Sequence, residues 1–282
     1  NGLAARNEWL RAPDYVSRLL GIRFSPTYRD DHTLLSVLRG YVLRSSTRGD
    51  EWEAQIPRGV LVKGENPPDY FIPAFSPAFA RDQTMVLVTD GGKVFRSTDA
   101  GGTWRKLPAE IVDECPNVGV PRVTALTVDP SDPRTIWAGI EVDGVRRSTD
   151  GGDSWTRITA GIYDLDIHDI AVTVNGGTTV LTSTPGEIFA SRDRGESWQG
   201  LGVRDRFQLR YCRHLAQKAD DPETLFCATG NGAAGDAGAI ERSRDGGKSW
   251  EARPLPVEPN SPIWAFATHA ADPELIVACS HY

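Results

Sequence analysis

The sequence predicts an all-β protein built from repeated four-stranded antiparallel units. The first observation is a pattern, Ser-x-Asp-x-Gly-x-x-Trp, which we call the box motif and which occurs at 97–104, 148–155, 191–198 and 243–250. A degenerate copy at 45–52 carries Thr47 in place of the aspartate. The second observation is the spacing, because the first serines of successive copies lie 43 to 52 residues apart. Such a period indicates an array of equivalent units that cover one another's apolar faces.

The third observation is that each unit contains four short segments typical of β-strands. In one unit, residues 123–128 alternate in polarity, 135–140 are rich in β-formers, and 145–148 and 154–158 flank the box motif. Another unit repeats this order at 224–228, 239–243 and 249–252, after a predicted turn at Asp221-Pro222. Turn residues, without a helical period, separate the segments. Four-stranded units at this spacing predict the blades of a β-propeller.

The box motif itself is expected to stabilise the turn between the third and fourth strands. Its serine and aspartate, two positions apart, lie on the same face of a strand end, and the carboxylate can accept N–H groups of the turn. Gly101, Gly152 and Gly247 suit a position with positive φ. The tryptophan can bury its ring between adjacent sheets. We therefore expect the aspartates to support the fold and not to bind calcium or catalyse a reaction.

These residues resemble the Asp-box, also called the bacterial neuraminidase repeat, and four copies keep all four key residues. Proteins with this repeat include sialidases, family 74 xyloglucanases, sortilin-type sorting receptors and photosystem II assembly propellers. The resemblance implies a propeller scaffold, and it does not select one of these functions. Phe71-Ile72-Pro73 lacks the arginine of the sialidase Arg-Ile-Pro signature, which argues against sialidase activity.

The repeats predict a single β-propeller domain over residues 1–282, with six blades and seven as the alternative. Glu8-Trp9 resembles the close of a preceding box motif, and residues 263–282 resemble the first two strands of a further blade. We expect strands from the two ends of the chain to pair, because pairing removes open sheet edges.

Composition excludes some partners. The net charge is −7 and no basic stripe occurs, which argues against nucleic acid. No apolar run approaches membrane-span length and no signal-peptide pattern is present, so we expect a soluble protein, cytoplasmic or secreted. Arginine greatly outnumbers lysine, which is typical of a GC-rich bacterial genome. The four cysteines lack metal-type spacing, and buried free thiols are expected, although two of them could be close in neighbouring strands. The cysteines are Cys115, Cys212, Cys227 and Cys279, and the possible pair is Cys212 with Cys227.

Functional residues are expected at the end of each blade opposite the box motifs. The first two strands form a hairpin, so the start of the first and the end of the second lie together there. The candidates at these positions fall into three sets. For catalysis they are Asp166, Glu141 and His214; for ligand binding Arg39, Asp90, Arg213, Asn231, Trp264 and Tyr70; for a metal His168, His214 and His281.

Two kinds of chemistry suit these residues. In a propeller the first strand of each blade lines a central channel. Three imidazoles there could hold a divalent zinc, iron or manganese ion that activates water. Histidines that line such a channel are also ordinary residues that only make hydrogen bonds within the protein. In a metal-free pocket, Arg213 could pair with a substrate carboxylate and Asp166 or Glu141 could act as acid or base. Trp264 and Tyr70 could stack on sugar rings. Side chains alternate along a strand, so only one member of each adjacent pair can face the channel; the pairs are His168 with Asp169 and Arg213 with His214.

Two functions follow. The first is a propeller that binds, and could hydrolyse or cleave, a small polar molecule or glycan at the channel mouth opposite the box motifs. The second is a non-catalytic scaffold or assembly factor that binds a protein partner. The clustering of histidine, arginine, aspartate and aromatic residues at one end favours the first.

Overall fold

The computed structural model describes residues 19–38, 40–55, 68–112, 119–269 and 272–280. The chain divides into two compact units, Asn1–Pro108 (unit 1) and Ala109–Tyr282 (unit 2). The single domain over residues 1–282 stays a prediction. No helix in the described ranges is long and apolar enough to cross a membrane.

Unit 1 contains two four-stranded antiparallel sheets, blades 1 and 2, each in the order of the chain. Blade 1 consists of β1 (Leu19–Phe24), β2 (Leu34–Leu38), β3 (Tyr41–Ser45) and β4 (Glu53–Ala54). Blade 2 consists of β5 (Phe71–Phe75), β6 (Met85–Thr89), β7 (Lys93–Ser97) and β8 (Arg105–Glu110), whose last two residues follow the unit boundary. Single-turn helices α1 (Tyr28–Asp31) and α2 (Phe79–Asp82) join the first two strands of each blade.

Unit 2 contains three four-stranded sheets and one hairpin. Blade 3 consists of β9 (Val123–Val128), β10 (Ile136–Ile140), β11 (Gly144–Ser148) and β12 (Thr156–Arg157). Blade 4 consists of β13 (Asp169–Val174), β14 (Thr178–Ser183), β15 (Ile188–Ser191) and β16 (Gln199–Gly200). Blade 5 consists of β17 (Tyr211–Lys218), β18 (Asp221–Gly230), β19 (Gly238–Ser243) and β20 (Glu251–Arg253), and a 3-10 turn at Val203–Asp205 precedes it. The hairpin consists of β21 (Ile263–His269) and β22 (Asp272–Ser280).

The all-β class and the four-stranded antiparallel blades are confirmed, but the count of six or seven blades is wrong. The described residues form five blades, and 263–280 form a two-stranded hairpin with no third strand beside it in the described part of the chain. Leu275 and Val277 of β22 are therefore more than half exposed, whereas β6 and β10 are buried along their whole length. The expected pairing with N-terminal strands concerns residues 1–18, which lie outside the described residues.

The burial of a strand depends on its position in the blade. Second strands are rich in β-branched and large apolar residues, and they pack on both faces. The fourth strands β12 and β20 are short and exposed, whereas β8 has six residues and buries Leu107. Between blades 3 and 4 the core contains Trp137, Phe189 and Trp198. Between blades 4 and 5 it contains Leu181, Phe207 and the two thiols of Cys212 and Cys227, which are free and buried as expected. Cys279 is also free, but it is exposed, so the expectation of a buried thiol is wrong there.

Strand register fixes the two ends of each blade. Ile140, at the end of β10, pairs with Val123, at the start of β9. Ile136, at the start of β10, pairs with both Val128 and the box serine Ser148. The box motifs therefore lie at one end, the box end, and the starts of the first strands lie at the other, the non-box end. This confirms the predicted separation of the two ends within a blade.

Each complete box motif closes its turn with the same hydrogen bonds. In blade 3, the Ser148 hydroxyl donates to Asp150 Oδ1 at 2.8 Å and accepts the Gly152 N–H at 2.8 Å. Asp150 also accepts the Ser154 N–H at 2.9 Å and the Ser154 hydroxyl at 2.6 Å. The same bonds recur at the boxes of blades 2, 4 and 5. Sequence reasoning missed the hydroxyl residue before the tryptophan, although four copies carry Ser or Thr there.

These bonds change the acidity of the box aspartates. Hydrogen bonds from the Ser197 hydroxyl and N–H and from the Ser191 hydroxyl lower the pKa of Asp193 to about 2. Burial raises the pKa of Asp150 and of Asp245, but hydrogen bonds outweigh that cost, and both pKa values are lowered to about 2. The box aspartates are therefore charged and fully engaged in turn structure at neutral pH, as the structural interpretation requires.

One turn lies at a different position from the one predicted. Asp221-Pro222 was expected to be a turn, but Asp221 begins β18 and pairs with Lys218, so the turn consists of residues 219 and 220. The strand gains residues at this end because a register shift between Gln217 and Lys218 brings Asp221 into the ladder.

Candidate functional site

The non-box end of unit 2 brings together the starts of three first strands. β17 contacts β13 on one side and β21 on the other. Predicted residues lie at each start: Asp166 and His168 just before β13, Arg213 and His214 in β17, and Trp264 in β21. We call these five residues the non-box cluster.

Arg213 links β17 to β21. Its guanidinium lies over the Trp264 ring, with Cζ 3.9 Å from the ring centroid, and 5.6 Å from the Tyr211 centroid. Its Nη1 donates to the Tyr211 hydroxyl at 3.2 Å. A guanidinium held over an indole is attracted by the ring quadrupole and fixed in orientation. The result is a flat cationic group placed between two aromatic side chains.

His168 links the start of β13 to β17. Its Nδ1 donates to the Cys212 carbonyl oxygen at 2.5 Å, and its ring lies edge-on to Tyr211 at 5.0 Å between centroids. Because a carbonyl oxygen can only accept, this bond leaves Nε2 as the nitrogen directed elsewhere. That nitrogen lies 3.7 Å from Asp166 Oδ2, and the His168 side chain is only 5% exposed.

Asp169 and His214 form a second contact between the same strands. Asp169 accepts the Leu215 N–H at 2.8 Å, and His214 Nδ1 lies 3.7 Å from the same carboxylate oxygen. The His214 ring also packs against Phe266 at 6.0 Å. This side chain therefore lies between blade 4 and the hairpin, and 29% of it is exposed.

Both members of each adjacent pair contact the same neighbouring strand, and the expectation that only one member faces the channel stays a prediction. Arg213 contacts Trp264 while His214 contacts Phe266, so both lie against β21. The register shifts between Cys212 and His214, which makes Arg213 the extra residue of a β-bulge and re-aims its side chain. His168 precedes the first residue of β13, so strand alternation does not apply to it, and it contacts β17 as Asp169 does.

Glu141 follows β10 at the same end of blade 3. Arg122 donates to it twice, Nε to Oε2 at 2.9 Å and Nη2 to Oε1 at 2.7 Å. Hydrogen bonding to Arg122 lowers the pKa of Glu141, against opposing contributions from burial and from the charge of Asp166. Glu141 is therefore an ionised carboxylate already held by a bidentate partner. Arg122 was missed from sequence, although it stands immediately before a first strand.

Asp166 Oδ1, Arg213 Nε and His214 Nδ1 are buried polar atoms of the non-box cluster that make no hydrogen bond to a described residue. Buried polar atoms are normally satisfied, so each one without a protein partner calls for an explanation such as an ordered water or a ligand. The cluster thus combines an acceptor and two nitrogens whose hydrogen-bonding capacity the described protein does not use.

The remaining predicted residues lie elsewhere. In unit 1, Asp90 Oδ2 accepts the Asp69 N–H at 3.2 Å, burial raises the pKa of Asp90, and the Tyr70 carbonyl accepts the Asp90 N–H. Asn231 is used within its own loop, where it donates to Asp236 at 2.7 Å and accepts the Ala237 N–H. Arg39 and His281 lie outside the described residues, as does Cys115.

The metal hypothesis is not supported by a ligand set. Within the described ranges, no group of three or more His, Cys, Asp and Glu side chains could hold a metal ion. His168 uses Nδ1 on a backbone carbonyl, and His214 directs Nδ1 toward Asp169. The trio with His281 stays a prediction, and the metal-free interpretation suits the described residues better.

Comparisons with known proteins give relatives that are named xyloglucanases. No protein-family model matches the chain. A xyloglucanase from a Paenibacillus species is 27% identical over 242 residues, covering 75% of this chain and 23% of that protein. The xyloglucanase Xgh74A of Acetivibrio thermocellus is 26% identical over 220 residues, covering 67% of this chain and 26% of its own length. The chain thus spans about a quarter of the length of these curated relatives.

Solved structures support the architecture. The GH74 enzyme of Niastella koreensis superposes with a TM-score of 0.70 at 18% identity, over 93% of this chain and 40% of that one. The GH74 xyloglucanase of Xanthomonas campestris gives 0.67 at 19% identity, over 93% and 42%. YCF48 from Cyanidioschyzon merolae gives 0.51 at 19% identity, over 89% of both chains. At these identities the likeness shows the fold alone, a β-propeller of four-stranded antiparallel blades.

Proposed function

We propose that this chain is a glycan-binding β-propeller module that uses the non-box end of unit 2 as its recognition surface. The observation that carries the proposal is the set of unsatisfied polar atoms beside the stacked Trp264, Arg213 and Tyr211 side chains. Ligand sites combine apolar and aromatic surface with a few convergent polar groups. A sugar ring offers both an apolar face and hydroxyl groups, so it matches this combination.

The polar atoms suit hydroxyl groups. Asp166 Oδ1 can accept a hydroxyl proton, and Arg213 can donate. In a site built to hydrogen-bond a ligand, such atoms have no partner within the protein, as holds for Asp166 Oδ1 and Arg213 Nε. The box end of the same blades supports the assignment by contrast, since its aspartates are occupied by turn residues.

The curated relatives support a glycan as the ligand. Both proteins described above are named xyloglucanases, and each aligns with two thirds or more of this chain. From these relatives we carry over to this chain only the class of ligand, a glycan. Whether cleavage accompanies binding depends on Asp166 and Glu141, the two predicted carboxylates, of which Glu141 is held ionised by Arg122.

The test is affinity electrophoresis through gels that contain xyloglucan, mixed-linkage β-glucan, glucuronoxylan or polygalacturonate, followed by calorimetry on the glycan that retards most. We expect retardation by at least one glycan, and Trp264→Ala should remove it. Phe24→Ala is the matched control, because Phe24 is an aromatic residue, half exposed, at the box end of blade 1. Equal loss in both variants, or no retardation by any glycan, would contradict the proposal and favour a protein-binding scaffold.

Cleavage is measured on the same glycans by reducing-end assay. Asp166→Asn and Glu141→Gln would each lower any activity by orders of magnitude if these groups act as acid and base. Full activity in both variants would remove them from the catalytic assignment without affecting the binding proposal.

A further inference from the structure

The charge environment of Arg213 differs from that of several arginines in unit 2. Arg122 pairs with Glu141, Arg147 with Glu196 and Arg242 with Glu251. Within the described part of the chain, no carboxylate forms an ion pair with Arg213, and its Nη2 donates to no acceptor. A partly buried cation without an anionic partner costs free energy that ring contacts offset only in part, so its retention calls for a ligand that supplies the counter-charge.

The guanidinium is also held in a fixed position. The Trp264 ring covers one face at 3.9 Å, and Nη1 is tied to the Tyr211 hydroxyl. The bulge that directs the side chain toward β21 is anchored by the Ser183 hydroxyl, which donates to the Arg213 carbonyl oxygen at 3.5 Å. A ligand therefore meets a preorganised planar donor group, for which little side-chain entropy remains to be lost.

Planar guanidinium groups match carboxylates in geometry and charge. We infer that the glycan bound at the non-box cluster carries a carboxylate, as a uronic acid does, and that Arg213 is the group that binds it. The inference rests on the proposed function and adds the charge of the ligand to it.

The neighbouring carboxylates do not oppose this assignment. Glu141 is neutralised by the bidentate Arg122, and Asp169 is engaged with the Ile170 and Leu215 N–H groups. Asp166 faces the His168 imidazole through Oδ2, and its Oδ1 remains an acceptor for a hydroxyl of the same sugar. A uronate thus finds a cation for its carboxylate and an acceptor for a hydroxyl.

The experiment compares acidic glycans with neutral counterparts of the same backbone. Oligogalacturonate is titrated against its methyl ester, and glucuronoxylo-oligosaccharide against its carboxyl-reduced form, by isothermal calorimetry on the wild-type chain. We expect at least one acidic member to bind about tenfold or more tightly than its neutral counterpart. The preference should shrink as NaCl rises from about 50 mM to about 500 mM.

Variants then assign the preference to one side chain. Arg213→Gln should reduce it to about twofold or less, while Arg213→Lys, which keeps the charge without the planar fork, should retain part of it. Arg242→Gln is the matched control, since Arg242 belongs to the same blade but pairs with Glu251, and its preference should equal that of the wild type. Thermal unfolding of each variant checks that it is folded under the conditions of the titration.

The outcomes separate the two proposals. If neutral glycans bind as tightly as acidic ones, the inference is overturned and the glycan-binding function stands. If no glycan of either kind binds, the proposed function fails and the inference with it. Because the acidic and neutral ligands are compared on the wild type, this result does not depend on the folding of any variant. A preference that survives in Arg213→Gln would also overturn the assignment to Arg213.

Discussion

The two ends of the blades in unit 2 carry similar polar residues, but these residues differ in how fully they are hydrogen-bonded. At the box end, aspartate, serine and arginine side chains bond to one another and to turn amides, as Asp150 does with Ser148 and Ser154. At the non-box end, Asp166, Arg213 and His214 each hold a buried polar atom with no hydrogen bond to a described residue. Residue type alone therefore does not mark a functional site; what distinguishes it is the hydrogen-bonding capacity that the fold leaves unused.

The comparison has exceptions toward the box end, where Trp137 Nε1 and Arg147 Nε are buried without a hydrogen bond to a described residue. The buried Oδ2 of Asp129, which follows β9, also lacks a described partner, although its Oδ1 accepts both the N–H and the hydroxyl of Ser131. Asp129 is fully enclosed, with no exposed surface, whereas 30% of the Asp166 side chain is exposed. An external ligand can therefore reach Asp166 and cannot reach Asp129.

The largest effect should come from disturbing the box end through its glycine. Gly195 has φ +89°, and a Cβ there would lie 2.4 Å from Ile158 Cδ1 and 2.9 Å from Trp137 Cζ3. Gly195→Ala combines backbone strain with overpacking and should lower the free energy of unfolding by about 3 kcal/mol or more. Gly176→Ala is the control, because φ is +63° but nothing lies within 4 Å. Urea unfolding would contradict the account if the two variants were equally stable.

A smaller effect should follow from removing one box carboxylate. Asp150→Ala leaves the Ser154 N–H and hydroxyl without their acceptor. We expect a loss of about 1–3 kcal/mol in the free energy of unfolding. Asp205→Ala, an exposed aspartate of the 3-10 turn at Val203–Asp205, should change it by about 0.5 kcal/mol or less. A box variant as stable as this control in chemical denaturation would show that the hydrogen bonds do not stabilise the turn.

Acid should weaken the box end without any mutation. The folded-state pKa of Asp193 is lowered to about 2, below the unfolded value of about 3.9. Its stabilising contribution is therefore complete above the unfolded pKa and is lost as pH falls toward 2. We expect the melting temperature to fall over this window, and to fall less steeply in Asp193→Asn. Parallel profiles for the two proteins would be inconsistent with the assignment.

The smallest stability effect should come from the non-box end. Asp166→Ala removes a carboxylate that makes no hydrogen bond within the described protein and lies 3.7 Å from His168 Nε2. The free energy of unfolding should change by less than about 1 kcal/mol, because little is lost and a desolvated charge is relieved. Glycan affinity measured by calorimetry should nevertheless fall. A loss of stability as large as that in Asp150→Ala would give Asp166 a structural role instead.

Much of the fold could be predicted from the sequence because it depends on local and periodic signals. Residues 123–128 form the predicted strand, since alternation and flanking turn residues define it without tertiary information. The blade count was overestimated because 263–282 has strand patterning for two strands and the sequence does not show what lies beside them. Fourth strands are shorter than predicted, as Thr156–Arg157 illustrates, since an outer strand pairs on one side only.

The candidate site could be predicted less well, because its geometry depends on contacts between blades. Alignment of the repeats brings Asp166, Arg213 and Trp264 to the same end, where the structure also has them. It could not reveal the bulge at Arg213, which appears only when the register of β17 against β18 is known. Nor could the alignment show that the Asn231 side chain hydrogen-bonds within its own loop, because the turn that brings Asp236 close to Asn231 has no sequence signature.

The central claim is that one end of these blades stabilises the fold while the other binds a glycan, and two tryptophans test it most directly. Trp155 belongs to a box and donates to the Gly152 carbonyl, whereas Trp264 lies under Arg213 at the non-box end. The measurement is thermal unfolding together with calorimetric glycan titration of Trp155→Ala and Trp264→Ala. We expect Trp155→Ala to melt several degrees lower than the wild type and to bind glycan normally while folded. We expect Trp264→Ala to lose about 2 kcal/mol or more of binding free energy, with a smaller change in melting temperature. Weakened binding in Trp155→Ala together with wild-type affinity in Trp264→Ala would contradict the claim.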